Sequence, residues 1–155
     1  MSSAFSLEEN KEMLEPWLCV IGLITVMWSS VERKIDECVV IIKSTKSNGK
    51  KLMKLADKLN YIKENLPKDI SCISDLDEII RLTKGTSQVR DICAHGVIEN
   101  YDADKMSIGK VQGRSEDYHV EMYTFDKNQL SLAGNNLNYV FETWELIASD
   151  LHKLC

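Results

Sequence analysis

Arg90, Asp91 and His95 bring three functional side chains into the stretch Arg90-Asp91-Ile92-Cys93-Ala94-His95, which Gly96 follows. Histidine moves protons near neutral pH. Arginine offers a planar fork of donors to phosphate oxygens. On a helix, Asp91 and His95 lie nearly on one face, so the carboxylate can accept from an imidazole nitrogen and fix its tautomer. Arg90 and His95 are about 140° apart around an ideal helix. They would flank a groove at a helix end rather than touch. A proton carrier beside a phosphate holder suits chemistry on a phosphodiester. The same residues also fit an ordinary helix end, with Arg90 and Asp91 solvated and His95 favoured by the C-terminal dipole.

Other chemistry has little support. The remaining histidines are His119, in an alternating stretch, and His152, near a helix C-terminus. No H-x-x-x-H, no H-E-x-x-H and no Cys/His cluster occurs, so neither a metal site nor a cofactor is expected. A glycine-rich phosphate loop and a G-x-S-x-G elbow are both missing. The five cysteines, Cys19, Cys38, Cys72, Cys93 and Cys155, are widely spaced and odd in number. They read as reduced thiols of a cytoplasmic protein, mostly buried as small apolar groups.

The elements that must position the motif follow from periodicity. Apolar residues recur at helical spacing from Trp17 to Ile42, predicting a first helix over about 15–43 with Pro16 in its first turn. Its first half, Trp17 to Trp28, is apolar on all faces. That predicts burial all round, as a central helix or as a face given to a partner subunit. The run is preceded by Glu8, Glu9, Glu12 and Glu15 and is too short to span a bilayer, so neither a signal peptide nor a membrane is expected. A second helix spans about 50–66 and ends at Pro67. A third runs over about 74–95, with Ser74 and Asp77 spaced as a capping box and Gly96 as its stop. The stretch 97–125 alternates, predicting a small antiparallel sheet of strands 97–101, 105–111 and 118–125. Val120 and Met122 oppose His119 and Glu121 across the last strand. Asp126 then caps a final helix to about Leu154. The fold class is mainly α: a bundle of about four long helices, in a single domain over 1–155, with a β insertion before the last helix.

Composition sets the partners. The chain of 155 residues is 44% apolar and 28% charged, with only seven glycines and two prolines, so disorder is excluded. The net charge of −5 disfavours a protein that coats nucleic acid by bulk charge. Yet Lys43, Lys46, Lys50, Lys51, Lys54, Lys58, Lys63 and Lys68 face only Asp57 and Glu64 within their stretch. That asymmetry fits an anionic ligand, and Lys50, Lys51 and Lys54 are the candidate RNA-binding residues. A solvated helix face fits the same lysines.

The segment Arg90–His95, with its Ala-His-Gly ending before a further long helix, resembles the R-x4-H signature of the HEPN superfamily (higher eukaryotes and prokaryotes nucleotide-binding domains). The resemblance implies an all-α bundle, a homodimer, and a metal-independent endoribonuclease with Arg90 and His95 as catalytic pair and Asp91 as the polar residue after the arginine. It also implies toxin or defence and stress RNases, with an antitoxin or another protein as partner. Asp91 stands where asparagine is commoner. Val97 stands where one antitoxin-paired subgroup carries tyrosine, which this chain therefore does not resemble. The alternative is a non-catalytic HEPN-like module that binds a protein or a nucleotide.

Overall fold

In the computed structural model, which describes residues 11–45, 52, 54–70 and 74–154, the elements follow one another as α1 (Lys11–Thr45), α2 (Leu55–Asn65), α3 (Leu76–His95), β1 (Val97–Tyr101), β2 (Lys105–Gln112), β3 (His119–Asp126) and α4 (Lys127–Leu154). Among the described residues the chain is mainly α, with four helices and one small antiparallel sheet before the last of them. It divides into two compact units. The first is Met1–Val26 with Ser87–Asn135; the second is Met27–Thr86 with Asn136–Cys155.

The second unit is built on apolar stripes. From α1 it buries Trp28, Val31, Ile35, Cys38 and Ile42, each three or four residues from the last. Leu59 and Ile62 come from α2; Leu137, Val140, Trp144, Ile147 and Leu151 come from α4. Two threonines of α3 sit inside this core without cost, because each finds a partner. Thr83 Oγ1 donates to the Ile79 carbonyl and accepts from Trp144 Nε1 at 3.0 Å, while Thr86 donates to the Thr83 carbonyl. Leu66, with φ −63° and ψ 127°, ends α2 in the extended conformation that Pro67 imposes on its predecessor.

The first unit joins the start of α1, the end of α3, the sheet and the start of α4. Trp17 is buried and donates Nε1 to the Asp102 carbonyl at 2.8 Å. Asp102 Oδ1 accepts the backbone N–H groups of Asp104 and Lys105, which closes the β1–β2 turn. Those two bonds hold its carboxyl below the usual range. The strand order is β1-β2-β3, with Ile98 opposite Ile108 and Ile108 opposite Tyr123. Asp126 caps α4 reciprocally with Gln129: each backbone N–H donates to the other's side chain.

Several expectations change. Pro16 lies inside α1 rather than in its first turn, since the helix includes Lys11. The carbonyl it deprives of a partner belongs to the exposed Glu12, where water can replace the lost bond. The cap of α3 is Asp75, whose Oδ1 accepts from the Glu78 N–H, and not Ser74. α2 begins at Leu55 and is short. The apolar first half of α1 is not buried all round. Trp17, Ile24 and Trp28 are, but Leu23 and Val26 are 60% and 69% exposed. Over its most apolar 18 residues α1 has mean hydropathy 1.5 with 22% buried, and it is long and apolar enough to cross a membrane. The alternation of the last strand leaves open which face meets the core, and the structure decides it. Val120 and Met122 are exposed, and the buried side chains are Met106 and Ile108 on the face shared with Tyr123.

Candidate functional site

The motif closes α3 and lies wholly in the first unit. Its position depends on a glycine. A Cβ on Gly96 would stand 2.1 Å from Ile108 Cγ2 and 2.6 Å from the Ile92 carbonyl oxygen. The helix end therefore presses onto the buried middle of β2, and only glycine permits that approach. The Gly96 N–H still donates to the Ile92 carbonyl at 2.9 Å, so the last helical turn is complete before β1 begins. Gly96 thus stops the helix by close packing and not through a left-handed cap.

On this corner His95 is exposed, with its ring free of the core. Arg90 is three-quarters covered and donates Nη1 to Asp91 Oδ1 at 2.8 Å. Asp91 therefore serves Arg90 and makes no hydrogen bond to His95, contrary to the pairing expected from helical spacing. Neighbouring residues on a helix ordinarily face apart, but the arginine stem is long enough to fold back. Cys93, one turn of side chains inward, is buried, and burial pushes its thiol up to about 11. It packs as an apolar group and stays a thiol. Cys38 is buried too, while Cys19 is exposed; Cys72 and Cys155 lie outside the described residues.

Of the candidate RNA-binding lysines, Lys54 is exposed at the start of α2, in the second unit, and Lys50 and Lys51 lie outside the described residues. Their neighbours are engaged. Lys58 pairs with Asp36 at 2.6 Å, Lys63 with Asp77 at 2.7 Å, and Lys43 stands 5.6 Å from the centre of the Tyr61 ring. The basic stretch is thus partly neutralised on the surface of its own unit. A groove of about 670 Å³ in that unit is lined by Ser30, Arg33, Lys34, Asp36, Glu37, Val40 and Phe141. A smaller cavity in the first unit, about 210 Å³, is lined by Pro16, Trp17, Val20, Lys127 and Ser131. Neither includes Arg90, Asp91 or His95. Among the described residues no three His, Cys, Asp or Glu gather as metal ligands would.

One polar cluster had no clear signal beyond the i, i+2, i+4 spacing of its members on a strand. On β3, His119 Nδ1 donates to the Asp117 carbonyl at 2.7 Å and its Nε2 meets Glu121 at 3.2 Å. The Tyr123 hydroxyl donates to the other Glu121 oxygen. The Asp117 carbonyl, and then Glu121, raise the His119 pKa above its ordinary value. A Cβ on Gly113, whose φ of +91° turns the chain between β2 and β3, would stand 3.4 Å from His119 Nδ1.

Comparison with known proteins gives no further constraint: no family model, no curated protein and no solved structure matches the chain.

Proposed function

We infer that this chain is a cytosolic, metal-independent endoribonuclease of HEPN type, a toxin or defence RNase that works as a homodimer. The observation that carries the reading is the R-x4-H motif at the end of α3, where an exposed His95 and a partly covered Arg90 share one helix-to-strand corner. RNA cleavage of this kind uses the ribose 2′-OH to attack the adjacent phosphorus. The P–O5′ bond breaks and a cyclic phosphate remains. The step needs a base for the hydroxyl, an acid for the departing oxygen, and positive charge for the extra anionic character of the transition state. One chain supplies one such histidine. Two motifs facing across a two-fold axis supply two His95 and two Arg90. The open apolar side of α1, with Leu18, Leu23 and Val26, supports association of two chains.

Purified protein incubated with total RNA in EDTA tests this. Cleavage is expected, and Arg90→Ala and His95→Ala should each lower it by about 10²–10³. Mixing the two inactive variants should restore activity if each site takes Arg90 from one chain and His95 from the other. RNA left intact by the wild-type protein would sink the reading. The Arg90–Asp91 pair favours a second reading, a non-catalytic module that binds a nucleotide or a protein, because it partly neutralises Arg90. Saturable nucleotide binding without cleavage would select it.

A further inference from the structure

We propose that Asp91 is the resting counter-ion of Arg90, a positioning residue that an incoming phosphate must displace before Arg90 can hold it. This rests on reading the motif as a phosphate-handling site. Successive helical residues point about 100° apart, so an ion pair between them forms only if one side chain folds across the helix surface. Arg90 does so, and its Nη1 reaches Asp91 Oδ1 at 2.8 Å. The two partners differ in cover: the Arg90 side chain is 23% exposed and that of Asp91 46%. The carboxylate is the more exposed partner, and the guanidinium is the one held in place.

The pair has two consequences. It fixes the arginine fork before any ligand is present, and a phosphate that docks on the fork meets a carboxylate of its own sign. Two like unit charges 4 Å apart in water repel enough to weaken binding about fivefold. Asp91 must swing aside into the solvent it already faces. A lone phosphate gains little from that exchange. A polynucleotide, with further phosphates to place along the protein, gains more. Free phosphate carries nearly two negative charges near pH 7 and a phosphodiester one, so Asp91 repels the small anion more than a link of a polynucleotide.

The test uses the full-length protein, ¹⁵N-labelled, with inorganic phosphate as the probe and the Arg90 side-chain Nε–H signal as the readout. Asp91→Asn keeps the shape and removes the charge. It should move the Arg90 signal before any phosphate is added and tighten phosphate binding by roughly fivefold. Asp91→Glu, which can reach the same guanidinium, should return both readings to within about twofold of the wild type, a rescue that a purely structural role would not produce. Unchanged or weaker phosphate binding in Asp91→Asn overturns the proposal, as does an Asp91→Glu variant that behaves like Asp91→Asn. Arg90→Ala, followed by the backbone signals of Ile92 to Gly96, separates the two layers. If it abolishes phosphate binding while Asp91→Asn changes nothing, the counter-ion role falls and the phosphate site stands. If phosphate binds Arg90→Ala as well as it binds the wild type, the reading of the motif itself falls.

Discussion

The two units spend their apolar residues differently. Among the described residues the second holds most of the buried side chains, Trp28, Ile35, Leu59, Ile79 and Trp144 among them. The first, which holds the motif, buries few, chiefly Trp17, Ile24, Met106, Ile108 and Leu130. It leaves Leu23, Val26, Val97, Val120 and Met122 outside. What it lacks in core it partly replaces with polar ties: Trp17 to the Asp102 carbonyl, the Asp102 turn, and the Asp126–Gln129 cap. Regions with few buried apolar contacts open more readily, and functional segments are drawn from them. The contrast therefore predicts slower amide exchange for the helices of the second unit than for β1–β3.

The comparison is broken most directly by removing Trp144. Trp144→Ala empties the centre of the second unit and should cost about 3–5 kcal/mol, read as a large fall in the denaturant midpoint. In the first unit Gly96→Ala should have a smaller but clear effect. The added methyl has no room against Ile108 and the Ile92 carbonyl, and overpacking of this kind costs about 1–3 kcal/mol. A companion Ile108→Ala should make Gly96→Ala cost less than it does in the wild-type background but not nothing, because the Ile92 carbonyl is backbone. Gly96→Ala as stable as the wild type would mean that the corner is not pressed onto β2.

A subtler comparison sets the two buried indoles of the second unit side by side. Trp144 Nε1 has Thr83 as acceptor; Trp28 Nε1 is buried with no partner among the described residues. Trp144→Phe should therefore destabilise by about 1 kcal/mol more than Trp28→Phe, since only the former loses a hydrogen bond. Equal losses would show that packing, and not the bond, decides both. On the exposed side of α1, Leu23→Asp should change monomer stability by no more than about 0.5 kcal/mol. It should abolish any dimer seen by sedimentation at micromolar concentration. A dimer that survives it does not use that face.

The smallest effect concerns pH. The His119 pKa is raised in the folded state, so its bonds to Asp117 and Glu121 stabilise the β2–β3 turn fully below the unfolded value of about 6.5. That contribution is lost as pH rises through the higher folded value. Amide exchange in the turn should quicken between mildly acidic and alkaline solution after correction for intrinsic rates. His119→Gln should flatten the difference.

Much of this architecture is legible in the chain itself. Pro67 and Asp126 act within a few residues, and the helical stripes report a buried face directly. The misreadings share a cause: they concern what lies across space. Alternation in β3 identifies a strand but not which face meets the core, and here Met106 and Ile108 on the neighbouring strand decide it. All-round apolarity in α1 does not say whether this chain covers every face. The helical wheel put Asp91 with His95 because it counts angles and ignores the reach of an arginine. Gly96 reads as a stop from the sequence, though its reason, a strand pressed against it, is invisible without the fold.

The tryptophans also make the molecule its own optical instrument. All three are buried, Trp17 in the first unit and Trp28 and Trp144 in the second. Their emission should be blue-shifted in the native protein and should redden wherever water enters. Replacing Trp28 and Trp144 by phenylalanine leaves a chain that glows only from the unit holding Arg90 and His95. Replacing Trp17 leaves one that glows only from the other. Melting the two variants in parallel would record whether the units come apart in one step or in two, with no dye and no added label.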